Sequence, residues 1–172
     1  MKIGIFGGSF DPIHKGHIHF ARHALKELNL DRIYFVPVKI SPLKQDSPIG
    51  SASHRVKMIQ AAIKTDSRFK VELCEIKRHG PSYTYLTLRY FRKKFSRVEF
   101  FLLLGQDALN SFNQWHKWEE ICKGAILLIG DRKKMLPYSS TEVRKRLQKG
   151  KSIRKECPPV VCSYIKRNKL YV

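Results

Sequence analysis

The sequence predicts an α/β fold, a parallel sheet of about five strands with helices on both faces. Two observations lead there. Short apolar runs alternate with segments of helical period along the whole chain, and strands this apolar need cover on both sides. A glycine turn, Gly7-Gly8, follows the first run and leads directly into the first helical segment. The 172 residues suit one domain, with a helical C-terminal segment from about residue 139.

The elements follow in order. Lys2–Phe6 reads as a short buried strand. Gly16–Leu28 carries Ile18, Ala21, Leu25 and Leu28 at helical spacing. Arg32–Val36 is a second strand, stopped by Pro37, and the Pro-, Ser- and Gly-rich stretch 37–52 is a long loop. Ser53–Lys64 is a helix with Val56, Ile59 and Ile63 inward. Lys70–Ile76 is a third strand. Ser82–Phe95 is a helix that groups Leu88, Phe91 and Phe95. Val98–Leu104 is a strongly apolar fourth strand, Asp107–Lys123 gives one or two helical pieces, and Ala125–Ile129 is the fifth strand. Ser139 and Glu142 have capping-box spacing, Gly150 stands where that helix stops, and Pro158-Pro159 opens a last helix through Lys166. This pattern is Rossmann-like, and ligands of such sheets bind at the carboxyl ends of the strands.

Composition narrows the class. A chain 42% hydrophobic and 11% aromatic folds into a core. No apolar run is long enough to span a bilayer, and the first strand enters its turn too soon for a signal peptide, so a cytoplasmic location is expected. Cys74, Cys122, Cys157 and Cys162 form no metal-like pair with each other or with histidine. They read as buried or incidental thiols, and no metal ligands are expected from the protein. The net charge of +20 favours anionic partners and allows nonspecific nucleic-acid binding. A Lys-rich solvated surface is the plainer source of the same excess.

Two strings carry chemistry. The first is Gly7-Gly8-Ser9-Phe10-Asp11-Pro12-Ile13-His14-Lys15-Gly16-His17. Gly7 and Gly8 let the backbone turn sharply and approach a ligand, and N–H groups in such a turn and at the next helix start attract phosphate. His14 and His17, three apart, can face one ligand and donate hydrogen bonds to phosphoryl oxygens as charge builds. The string is neither Gly-x-Gly-x-x-Gly nor a Walker loop. The second is Ser139-Ser140-Thr141-Glu142-Val143-Arg144, a hydroxyl cluster at a helix start with an arginine able to clamp phosphate. Each part alone also reads as a helix cap with a charged outer face.

The first string resembles the histidine signature of the nucleotidylyltransferase superfamily. The second resembles that superfamily's Ser-Ser-Thr-x-x-Arg, which helps hold the ATP triphosphate. Over nearly its whole length the chain resembles the nicotinate mononucleotide adenylyltransferases in particular. Ser82-Tyr83-Thr84 with Thr87-Leu88 looks like the helix start that contacts the pyridine mononucleotide. Gly105-Gln106-Asp107 matches a Gly-x-Asp whose acid meets ribose hydroxyls, and Trp115 matches the tryptophan that stacks on the nicotinate ring. Tyr164-Ile165 and Leu170-Tyr171 look like the family's ending. Two departures stand out. Pro42-Leu43-Lys44 replaces Pro-His-Lys, and only 133–138 separate Arg132 from Ser139, where the family places a further helix and strand.

The resemblance implies transfer of AMP from ATP to nicotinate mononucleotide, giving deamido-NAD and pyrophosphate. His14 and His17 would serve the reacting phosphates. Gly7, Gly8, Ser9, Phe10, Arg132, Ser139, Ser140, Thr141 and Arg144 would hold ATP. Lys44, Thr84, Gly105, Asp107 and Trp115 would hold the acceptor. Mg2+ would accompany ATP, bridging its phosphates with few or no protein ligands, and a homo-oligomer is compatible with the reading. Three alternatives remain: a pantetheine-phosphate adenylyltransferase, which Trp115 and Ser82–Thr84 oppose; a basic nucleic-acid-binding protein; and a nucleotide-binding relative without catalysis.

Overall fold

The computed structural model describes residues 1–43, 47–130 and 136–172, and the side chain of Asp107 lies outside that description. Five parallel strands form one sheet in the order β3-β2-β1-β4-β5. They are β1 (Lys2–Gly8), β2 (Arg32–Pro37), β3 (Phe69–Val71), β4 (Glu99–Gly105) and β5 (Ile126–Gly130). The helices are α1 (Lys15–Glu27), α2 (Ala52–Ile63), α3 (Cys74–Lys77), α4 (Thr84–Lys94), α5 (Gln106–Leu109), α6 (Trp118–Gly124), α7 (Ser140–Gln148) and α8 (Pro159–Arg167). None is long and apolar enough to cross a membrane among the described residues.

The period-two alternation of the strands sorts their side chains into two cores. Phe6, Ile33, Phe35, Phe101 and Leu103 meet α1, α2, α7 and α8 on one face, and Tyr171 joins them. Ile3, Ile5, Val36, Leu102 and Leu104 meet Leu88 and Phe91 of α4 and Ile121 of α6 on the other. The sheet is therefore covered on both sides, as its apolar strands require. Gly150, in the left-handed region at φ 65°, follows α7 where the sequence predicts its stop.

The strand expected over 70–76 is shorter and ends in a helix. β3 pairs only Phe69–Val71 with Ile33–Phe35 of β2. Continued in that register, Leu73 would face Pro37, which has no N–H to give. The chain instead turns, the Glu72 carboxylate accepts the Leu73 N–H at 2.9 Å, and Cys74–Lys77 coil into α3. The stretch 107–123 also breaks more than expected. It forms α5, a 3-10 turn at Phe112–Gln114, and α6, with Lys117 in the left-handed region at φ 55° between the last two. After β5 no further strand occurs among the described residues. Burial pushes the thiols of Cys74 and Cys157 up to about 12, as inert structural cysteines require.

Candidate functional site

β1 and β4 are hydrogen-bonded neighbours, and the chain leaves them for opposite sides of the sheet, so their carboxyl ends flank the point where the strand order reverses. Gly7, the penultimate residue of β1, and Gly105, the last of β4, are exposed, and a Cβ at either would meet nothing within 4 Å among the described residues. Open space therefore stands over the two central strands. Gly8 and Ser9 carry the turn onward, partly exposed. Phe10 sits in the left-handed region at φ 48° with its ring in the core, 5.3 Å from Phe6 and 5.1 Å from His17. Phe10 builds the floor beneath the histidines, so any contact it makes with a ligand is through its backbone.

His14 is the N-cap residue of α1, and its ring stacks on that of His17 with centroids 3.7 Å apart. The His14 N–H donates to His17 Nδ1 at 3.2 Å. In the neutral ring this leaves the proton on His17 Nε2, a donor. Burial holds the His14 pKa down to about 4, and burial together with His14 holds His17 well below the usual histidine range. At neutral pH the pair is a stack of uncharged imidazoles, able to donate to phosphoryl oxygens without a cation's desolvation cost.

The second string lands against the first. Ser139 caps α7 by accepting the Glu142 N–H at 3.2 Å. The Ser140 hydroxyl donates to the Pro12 carbonyl at 2.9 Å. Arg144 donates to the Asp11 carbonyl at 2.6 Å and to Thr141 Oγ1 at 3.3 Å. The strings are thus brought together, and part of the second one holds the turn itself. The hydroxyl hydrogen of Ser140 is committed to Pro12. Those of Ser139 and Thr141, both exposed, have no acceptor among the described residues.

The residue that composes this junction has no assigned role in the sequence reading. Asp11, 3% exposed, accepts the Ile49 and Gly50 N–H groups at 2.8 and 2.9 Å and the Tyr171 hydroxyl at 2.6 Å. Arg144 stands 3.9 Å from its second oxygen. Burial and the Asp11 carboxylate push the Tyr171 phenol up, so it stays a donor. Arg55, 2% exposed, braces the same knot by donating to the Gly50 carbonyl at 3.0 Å and the Ser9 carbonyl at 2.7 Å. Gly50 must be glycine here, because a Cβ would stand 2.6 Å from both Asp11 Oδ1 and Tyr171 Oη. An acid in the middle of a glycine-led turn of a basic chain is a legible signal for Asp11. Arg55, between His54 and Val56 on α2, offers none.

Of the expected acceptor residues, Thr84, Gly105, Asp107 and Trp115 lie at the start of α4 and in the segments that follow β4. Thr84 is the first residue of α4, half-buried. The rings of Tyr83 and Tyr85 lie 5.1 and 5.3 Å from His116, which brings the start of α4 beside the segment holding Trp115. Trp115 packs on Phe112 at 5.3 Å, half-buried, with its Nε1 buried and without a partner among the described residues. Asp107 lies on α5 immediately after Gly105. Lys44 and Arg132 lie outside the described residues. No group of three His, Cys, Asp or Glu side chains forms a metal site among the described residues.

Comparison with known proteins gives one family model, described as cytidylyltransferase-like, matching residues 5–146. A nicotinate-nucleotide adenylyltransferase of Bacillus subtilis is 35% identical, covering 99% of this chain and 98% of its own. A probable nicotinate-nucleotide adenylyltransferase of Exiguobacterium sibiricum is 36% identical over 188 aligned positions, covering 99% of each chain. That span exceeds 172 residues, so this relative carries residues the present chain lacks. Among solved structures, a putative nicotinate-nucleotide adenylyltransferase from Vibrio parahaemolyticus shares the fold with a TM-score of 0.78 at 24% identity. It covers 96% of this chain and 98% of its own.

Two outcomes are expected from this geometry. The folded protein refuses a proton at His14 down to about pH 4, while the unfolded chain accepts one near 6.5. The stability from this residue is complete above about pH 6.5 and falls as the pH drops toward 4. Urea midpoints of wild type and His14→Gln should therefore diverge in their pH dependence, by about 2 kcal/mol between pH 7 and 5. Tyr171→Phe removes a buried donor from Asp11 and should cost about 1–3 kcal/mol of unfolding free energy. An unchanged urea midpoint would show that the Tyr171 bond contributes nothing.

Proposed function

The chain belongs to the nicotinate-nucleotide adenylyltransferase family of the cytidylyltransferase-like proteins, and on that premise we propose that it transfers AMP from ATP to nicotinate mononucleotide. The products are deamido-NAD and pyrophosphate, a step of NAD biosynthesis. The observation that carries the reading is the direct bonding of α7 to the turn after β1, Ser140 to Pro12 and Arg144 to Asp11. Two anion-attracting backbone segments then share one ligand. ATP lies over the carboxyl ends of β1 and β4, with its phosphates between the starts of α1 and α7.

An oxygen of the acceptor phosphate attacks the α-phosphorus in line and pyrophosphate leaves, so the protein's work is positioning and charge stabilisation. His17 donates from Nε2 to a phosphoryl oxygen, held in that tautomer by the His14 N–H. His14, stacked beneath, fixes the orientation of the ring and contributes its own donor. The backbone of Gly7, Gly8, Ser9 and Phe10, the hydroxyls of Ser139 and Thr141, and the N–H donors of Arg144 not used by Asp11 and Thr141 surround the triphosphate. Ser140 serves by holding Pro12, and Arg132 completes the ATP side. On the acceptor side, Trp115 stacks on the flat nicotinate ring. Thr84, Gly105 and Asp107 meet the ring and ribose, and Lys44 meets the phosphate.

The residues present fit a magnesium ion carried in by the nucleotide. Asp11, the acid of the turn, has both carboxylate oxygens engaged by protein donors. Such an ion would be left to the nucleotide's phosphates, and the chemistry it would supply is neutralisation of the triphosphate charge.

The test is pyrophosphate release from ATP and magnesium with nicotinate mononucleotide, nicotinamide mononucleotide or phosphopantetheine as acceptor. The nicotinate compound should be preferred, and a preference for phosphopantetheine would replace this reading by its nearest rival. His17→Ala should lower turnover about a hundredfold or more, on the order of 3 kcal/mol in the barrier. Wild-type turnover in that variant would remove His17 from the mechanism.

A further inference from the structure

Arg55 is a buried cation that the mechanism leaves unused. No carboxylate lies within ion-pair distance of it among the described residues. Burial lowers the pKa of its guanidinium, against the nearby Asp11 and Tyr171, which favour the charged form. Its two directed bonds go to main-chain carbonyls instead. Nε donates to Gly50 at 3.0 Å and Nη1 to Ser9 at 2.7 Å. A guanidinium taken out of water with no acid against it is a costly way to pack a helix. It is a direct way to fix two stretches of backbone, because its rigid fork aims two donors at once.

One of those stretches is strained. Phe10 stands in the left-handed region at φ 48°, a conformation that a side chain disfavours and that persists where the surroundings impose it. The Ser9 carbonyl and the Phe10 N–H belong to one planar trans peptide, so they point in opposite directions. With the carbonyl held toward α2, the N–H points away from α2, and it meets no acceptor among the described residues. Gly50 is gripped at both of its peptide groups, its N–H by Asp11 at 2.9 Å and its carbonyl by Arg55. The helix that carries Arg55 is itself fixed in the core through the fully buried Met58 and Ile59.

We infer that Arg55 is a positioning residue for the phosphates of the nucleotide. By holding the Ser9 carbonyl toward α2, it keeps Phe10 in its strained conformation and the Phe10 N–H turned to the bound anion. It touches no reacting atom. The inference rests on the reading that places ATP over the turn after β1.

Calorimetry with ATP and magnesium, without an acceptor, is the test. A wild type that binds no ATP would remove that reading and the inference with it. A wild type that binds ATP and releases no pyrophosphate with any acceptor would remove the reaction alone. In Arg55→Met, which fills the space without donors, the Kd for ATP should rise about tenfold or more. Arg55→Lys keeps a cation that cannot aim two donors. It should fall between Arg55→Met and wild type, and it decides the matter if Arg55→Met does not fold. Adenosine, a competitor without phosphates, should bind wild type and both variants within about twofold. Ile59→Val, a core change one turn further along α2, should lower the urea midpoint and leave the Kd for ATP within about twofold. An unchanged Kd for ATP in the Arg55 variants, equal losses for ATP and adenosine, or the same loss in Ile59→Val would overturn the assignment.

Discussion

A carboxylate taken out of water must be met by donors, and Asp11 draws them from three distant stretches of chain. The loop at Ile49–Gly50, the guanidinium on α7 and the phenol of Tyr171 all converge on it. None of these stretches neighbours the turn in sequence. Each is brought there because an unmet buried charge costs more than ordering the chain that meets it. The shape of the turn after β1 is therefore imposed from outside, by α2 and α7 of the same core face and by the tail that follows α8.

This arrangement separates the two halves of the site. On the side of β1, the turn, the histidine stack and the start of α7 form one rigid unit around Asp11. On the side of β4, Thr84, Trp115 and Asp107 belong to segments packed on the opposite core, where the Thr87 hydroxyl donates to the buried Glu75. The uncharged state of His14 and His17 suits the first half: a ring that is neutral before its ligand arrives strengthens its donated bond as negative charge develops.

The sheet and the placing of the two strings at its edge were legible because they rest on local features. Apolar runs make strands, glycine makes the turn, and a serine–glutamate spacing makes the cap of α7. What escaped depends on pairs far apart in sequence. Nothing near Arg55 distinguishes it from a solvated helix arginine, and its burial follows only from the carbonyls of Ser9 and Gly50 coming to it. Ser140 and Arg144 were read as ligand groups, since their residue types suit phosphate. Their bonds to Pro12 and Asp11 are a tertiary fact. The end of β3 was misjudged for a related reason: the limit is set by Pro37 on the neighbouring strand, not by the apolar run itself.

The bond between Tyr171 and Asp11 closes a loop of 160 residues. Contacts of that separation carry a large closure entropy and form after local structure is in place. The turn around Gly7 is among the earliest residues in the chain, yet its final geometry awaits the docking of the segment beyond α8. A nascent or partly folded chain can thus possess the sheet and most of both cores while still being unable to grip a nucleotide. Competence arrives as the closing act of folding, and any agent that peels the tail from its seat would disarm the enzyme without melting it.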